Sequence, residues 1–170
     1  MADPTLLWIM TLVNWLHLLA TVVWIGGVIV NVAIVMPSAK EALDPPTMGK
    51  LIGTFMKRFR PIIYGCAVVL VITGIPMMTQ NTEYEDIGNF ENVWTIVMLV
   101  KHLLVALMIF VAVYAFETLA PQAGELAAQG PSTELTAIQK RQMRVGMIGL
   151  ILGLIVLLLT GAATAITSVE

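Results

Sequence analysis

The chain alternates between long apolar stretches and short polar ones. No charged residue lies between Asp3 and Lys40, between Arg60 and Glu83, or between Arg144 and Glu170. Between Glu91 and Glu117 the only charge is Lys101. Each stretch exceeds the roughly 20 residues that a helix needs to cross about 30 Å of hydrocarbon. The runs are continuous rather than alternating, which argues against membrane strands. The pattern predicts an all-α integral membrane four-helix bundle. Its spans fall at about 5–36, 61–78, 92–116 and 145–167, in a single domain covering 1–170.

Between the spans the pattern changes character. Pro37 is expected to end the first helix. Asp44-Pro45-Pro46-Thr47 reads as a turn, with Thr47 as a helix cap. In residues 48–59, Met48, Leu51, Ile52, Phe55, Met56 and Phe59 recur at helical spacing against Lys50, Lys57 and Arg58. This amphipathic piece either lies along the interface or leads straight into the second helix. Residues 79–92 read as an acidic loop with Glu83, Glu85, Asp86 and Glu91, and residues 118–131 as a connector. Ser132 or Thr133 is expected to cap the fourth helix, whose first turns carry Lys140, Arg141 and Arg144 into water. There is no internal repeat and no nucleic-acid motif.

Composition agrees: 58% of residues are hydrophobic and 12% charged, against about 25% charged in a soluble domain. The first apolar run lacks a basic leader and is too long for a signal peptide. Cys66 is the only cysteine, so no intrachain disulfide forms, and a buried apolar role is expected for it. The charges also give a direction. Every Lys and Arg outside the spans lies in segments 37–60 and 118–144, and the opposite side carries none. The positive-inside rule therefore makes those segments cytoplasmic and puts both termini outside, in a multi-pass protein of the cell (inner or plasma) membrane.

Ionisable residues inside spans are costly and mark function. Here they are His17, Lys101 and His102. The first and third helices run parallel. His17 lies 13 residues after Pro4, and His102 lies 13 after Asn89, a candidate cap. Counted from Leu6 and Val93 the steps are 11 and 9, so at ~1.5 Å per residue the depths agree to about 3 Å. Two imidazoles at one depth in a small bundle match the axial ligation of a b-type haem, with one neutral nitrogen on each side of the iron. Asn14, His17, Thr21, Trp24 and Asn31 share one helical face, which is expected to point inward. Asn14 or a backbone carbonyl is expected to accept the other ring N–H of His17. Lys101 either meets a haem propionate or snorkels to the outer interface. Gly26, Gly27, Gly65, Gly146, Gly149 and Gly153 permit close helix packing or approach to a flat macrocycle.

Three stretches carry a family resemblance. They are Trp15-Leu16-His17-Leu18-Leu19-Ala20 continuing to Trp24-Ile25-Gly26-Gly27, Phe59-Arg60-Pro61 running on to Thr73-Gly74, and Val100-Lys101-His102-Leu103-Leu104-Val105. Over residues 12–165 the chain resembles the copper-resistance D (CopD) domain and, more distantly, the bacterial membrane protoporphyrinogen oxidase. The resemblance implies a four-helix bundle, a functional histidine at His17 and an intramembrane lysine at Lys101. The oxidase relatives bind haem b through the matching histidine. Where the oxidase closes its first helix with Pro-Arg and a following His, this chain reads Val35-Met36-Pro37-Ser38.

The leading expectation is a membrane-embedded haem b protein with His17 and His102 as axial ligands, working in electron transfer. Lys101, Asn14, Thr21 and Trp24 would surround the cofactor. The alternatives are a copper transport or resistance protein, a haem-dependent protoporphyrinogen oxidase, and a structural membrane subunit. Besides the lipid bilayer, a homodimer or a basic soluble redox partner at the acidic outer face would suit a carrier with one haem per chain. The topology is directly testable. In a Cys66→Ser background, Asp3→Cys should react with an impermeant maleimide from outside and Ser132→Cys only after the membrane is opened. The reverse order would invert the orientation.

Overall fold

The structure, a computed structural model, describes residues 3–81 and 92–169. Four long helices make up the described chain: α1 (Pro4–Ala42), α2 (Pro45–Thr79), α3 (Val93–Gln129) and α4 (Thr133–Val169). They pack as an all-α bundle, and each is long and apolar enough to cross a membrane. This is a multi-pass membrane protein. The acidic residues expected in the outer loop, and Asn89 as a cap, lie outside the described residues. Asn92 instead caps α3, its side chain accepting from the Trp94 amide.

The helices are 35 to 39 residues long, which at ~1.5 Å per residue is about 52–58 Å. That is far more than the hydrocarbon core requires. The segments expected as cytoplasmic loops are therefore mostly helix, and the bundle continues beyond the membrane. Only Leu43–Asp44 and residues 130–132 interrupt it on that side. The amphipathic piece 48–59 is the first part of α2, which runs on through Pro61. Asp44, not Thr47, is the cap: its carboxylate accepts from the Thr47 amide at 3.2 Å. Hydrogen bonds from the Thr47 side chain and backbone hold the Asp44 carboxyl below its usual pKa. Ser132 does cap α4, accepting from the Leu135 amide at 3.0 Å.

Pro37 does not end α1. Residues Asn31–Val35 form a wider π-helical turn, and the Met36 amide reaches back five residues to the Asn31 carbonyl. Proline has no N–H to give the carbonyl four residues earlier. The wide turn takes up that defect and lets the helix continue to Ala42. The same device recurs in α3. Tyr114–Leu119 form a second π turn, the Ala120 amide bonds to the Ala115 carbonyl, and Pro121 follows.

The tightest packing lies at the end of the bundle that carries the basic segments, the one expected to be the inner end. Met36, Ile52, Ile63, Leu119 and Leu135 are almost wholly buried there. Gly49 meets Ala127 so closely that an added Cβ would stand 2.5 Å from the alanine methyl. The Gln139 side chain donates to the Pro45 carbonyl at 3.0 Å, tying α4 to the start of α2. Arg60 pairs with Glu117 at 3.2 Å, and the Tyr64 hydroxyl donates to the same carboxylate at 2.7 Å. With both charges half exposed, that ion pair contributes little by itself.

The outer half is looser. Few residues of the apolar part of α3 are fully buried inside the protein, so much of its surface lies outside the bundle. There α1 packs on α2, and α3 packs on α4. Residues Val93–Val113 scarcely approach α1 or α2. The two pairs join mainly through α1 on α4, where Gly153 and Gly146 meet Ile25 and Val32, and through α2 on the inner end of α3. Stability should therefore be concentrated at the inner end. Leu119→Ala and Leu135→Ala are each expected to cost about 2–5 kcal/mol. Leu158→Ala, at a site 72% exposed, should stay within about 0.5 kcal/mol. Unfolding in detergent, followed by circular dichroism, measures all three.

Candidate cofactor site

The inward stripes of α1 and α3 follow the same rule. On α1, His17, Trp24 and Asn31 are spaced seven residues apart, about two turns, with Trp24 and Asn31 buried. On α3 the matching stripe is Trp94, Lys101 and Met108, with Trp94 and Met108 buried. His17 stands 20 residues before Pro37, and Lys101 stands 20 before Pro121. Lys101, rather than His102, is thus the counterpart of His17. His102 is exposed at the rim of the bundle, about 100° round the helix from that stripe. The expectation that both imidazoles face the interior holds for His17 and not for His102.

His17 is half-buried, and its Nδ1 lies 2.8 Å from Thr73 Oγ1 on α2. The threonine hydroxyl has one proton, and it points at the Val69 carbonyl, 2.6 Å away. Thr73 must then accept from His17, so the network assigns the proton to Nδ1 and leaves the Nε2 lone pair free. The expected partner, Asn14, is exposed and makes no hydrogen bond among the described residues. Thr21 caps the same turn by donating to the His17 carbonyl at 2.8 Å. Gly74 adjoins Thr73, with the His17 ring 3.6 Å from where its Cβ would stand.

His102 is fixed in the same tautomer by different means. Its Nδ1 lies 2.6 Å from the Met98 carbonyl oxygen, which can only accept. So Nδ1 carries the proton and Nε2 is again free. Lys101 is half-buried and has no acceptor among the described residues. The ionisable side chains are thus divided between the two helix pairs. His17 and Thr73 belong to the α1–α2 pair, and Lys101 and His102 to the α3–α4 pair. Cys66 is buried and free, as expected. No group of three or more His, Cys, Asp or Glu converges among the described residues.

The sequence matches the family DUF4149, described as a domain of unknown function, over residues 19–132, two thirds of the chain. The chain belongs to that family. The match takes in Thr73, Lys101 and His102, and it begins two residues after His17. Neither the copper-resistance D nor the protoporphyrinogen oxidase family is matched. No curated protein and no solved structure matches the chain.

Sequence reasoning missed Thr73, the residue that sets the His17 tautomer. It is testable because the chain has only two histidines. In protein labelled with ¹⁵N-histidine, both rings should show protonated Nδ1 and unprotonated Nε2. Thr73→Val should release His17 from that tautomer while leaving His102 unchanged, and Thr73→Ser should restore it.

Proposed function

We propose that this DUF4149 protein is a membrane-embedded b-type haem protein with bis-histidine ligation, acting in electron transfer. The observation that carries this reading is the shared tautomer of His17 and His102. Each ring spends Nδ1–H on a fixed acceptor and keeps an Nε2 lone pair, the form in which imidazole ligates a metal. His17 belongs to one helix pair and His102 to the exposed rim of the other, so His102 would turn inward by about 100° to face, across the split, a flat macrocycle entering sideways from the bilayer. Haem brings four nitrogens of its own, so two isolated histidines suffice. Lys101 would face a propionate, with Trp24 and Thr21 along the His17 wall.

Iron held by two histidines keeps no open position, which favours electron transfer over catalysis on a bound substrate. The orientation places both termini outside and the basic helical ends in the cytoplasm. One haem covers little of a core about 30 Å thick. A second protomer, or a basic soluble redox partner at the acidic outer face, would supply the next carrier.

The absorption spectrum of the purified protein, oxidised and reduced, tests the reading. A low-spin b-type spectrum is expected. His17→Ala should lose the haem, and His102→Ala should leave it high-spin or lose it. Copper without haem, or no Soret band after expression with haem supplied, would refute the proposal. A low-spin spectrum surviving in both variants would remove the ligand assignment.

A further inference from the structure

A second feature lies apart from the histidines. Where all four helices meet, toward the cytoplasmic side, they line a partly open cavity of about 70 Å³. Trp24, Phe59, Phe116 and Gly149 contribute to a mostly apolar wall, but Asn31 and Gln142 also line it. Both amides are more than nine-tenths buried, at 6% and 8% exposure. Asn31 Oδ1 has no hydrogen-bond partner, and none engages the Gln142 side chain among the described residues. The Asn31 side chain stands at the first residue of the π turn.

A buried acceptor without a donor is costly, and two amides on one small cavity call for an occupant that can both donate and accept. Volume narrows the choice. A water molecule takes roughly 30 Å³ of liquid, and an engineered cavity that admits benzene is about 150 Å³. The space here matches about two waters and is about half that of a cavity that admits benzene. The lining covers seven-residue steps on α1 (Trp24 to Asn31), α2 (Met56 to Ile63) and α4 (Gln142 to Gly149), about 10 Å along the bundle. It begins at Gln142, beside the basic residues Arg141 and Arg144. It ends at Trp24, two turns short of His17.

We propose that this cavity is an internal hydration site: about two ordered waters donate to Asn31 Oδ1 and bridge it to the Gln142 amide. The waters enter from the cytoplasmic end, and the wall of their cavity reaches Trp24, two helical turns from His17. This inference does not depend on haem. It rests on the orphaned amide and the cavity alone.

The chain has five asparagines, so ¹⁵N-asparagine labelling of the protein in nanodiscs gives a short list of side-chain amide signals. The one lost in Asn31→Leu is that of Asn31. In the wild-type protein that amide should show rotating-frame cross-relaxation to the water resonance. Ala112→Leu, which adds bulk to the cavity wall, should weaken the cross-peak several-fold while the amide signal itself persists. No water cross-peak in the wild type, or a cross-peak to lipid acyl protons instead, would overturn the proposal. So would a water cross-peak undiminished in a folded Ala112→Leu protein. The wild-type measurement decides even where the filling variant fails to fold.

Discussion

Hydrocarbon offers a backbone no hydrogen bonds, and that constraint organises this chain. Every amide and carbonyl within the membrane must be satisfied by its own helix or by a side chain nearby. Where the first and third spans reach their inner ends, a proline also removes an amide donor. In α1 and α3 the chain meets Pro37 and Pro121 by widening one turn to five-residue bonds, and it remains helical on both sides. The side chains obey the same rule. Thr11, Thr21, Thr73, Thr160 and Thr164 all return their hydroxyl protons to a carbonyl four residues back. Once Thr73 has done so, only its lone pairs remain for His17. The tautomer of the histidine thus follows from the scarcity of acceptors in the bilayer.

The distribution of packing has a related cause. Between membrane helices there is no hydrophobic drive to associate, because lipid tails are as apolar as leucine. At the inner end the helices leave the hydrocarbon, and water restores that drive. The nearly fully buried Leu119 and Leu135 lie at that end. So do the close Gly49–Ala127 crossing and the Gln139–Pro45 tie. The bundle is clamped at that end, and its opposite halves are free to stand as two pairs.

Much of this was legible in the sequence, for reasons that also explain the rest. Charge-free runs of this length fix the number of spans, and the one-sided placement of Lys and Arg fixes the expected direction. The depth of His17 followed from counting residues. Its partner did not, because Thr73 lies 56 positions away and meets it only once the register of α1 against α2 is set. The choice between Lys101 and His102 as the inward residue was also out of reach. Helix α3 is apolar nearly all round, so its periodicity does not say which side faces protein. The structure decides through Trp94 and Met108, seven residues either side of Lys101. The proline effect was misread because a break is the usual outcome in water. The equal 20-residue spacing from His17 to Pro37 and from Lys101 to Pro121 was the available signal that both helices carry one device.

Placing Lys101 opposite His17 sharpens what any ligand of the split must provide. A lysine half-buried within a span, with no carboxylate to meet it among the described residues, is expensive in hydrocarbon. The cost falls if a ligand brings an anion to that depth, or if the ammonium climbs outward along the helix toward water. A neutral metal-free bundle has only the second route. The haem we propose offers the first, because its iron answers the two free Nε2 atoms and its propionates answer the ammonium. One amphipathic molecule entering between the helix pairs would then satisfy three polar groups that the protein itself leaves open. The weak contact between the outer halves of those pairs is what would make room for it.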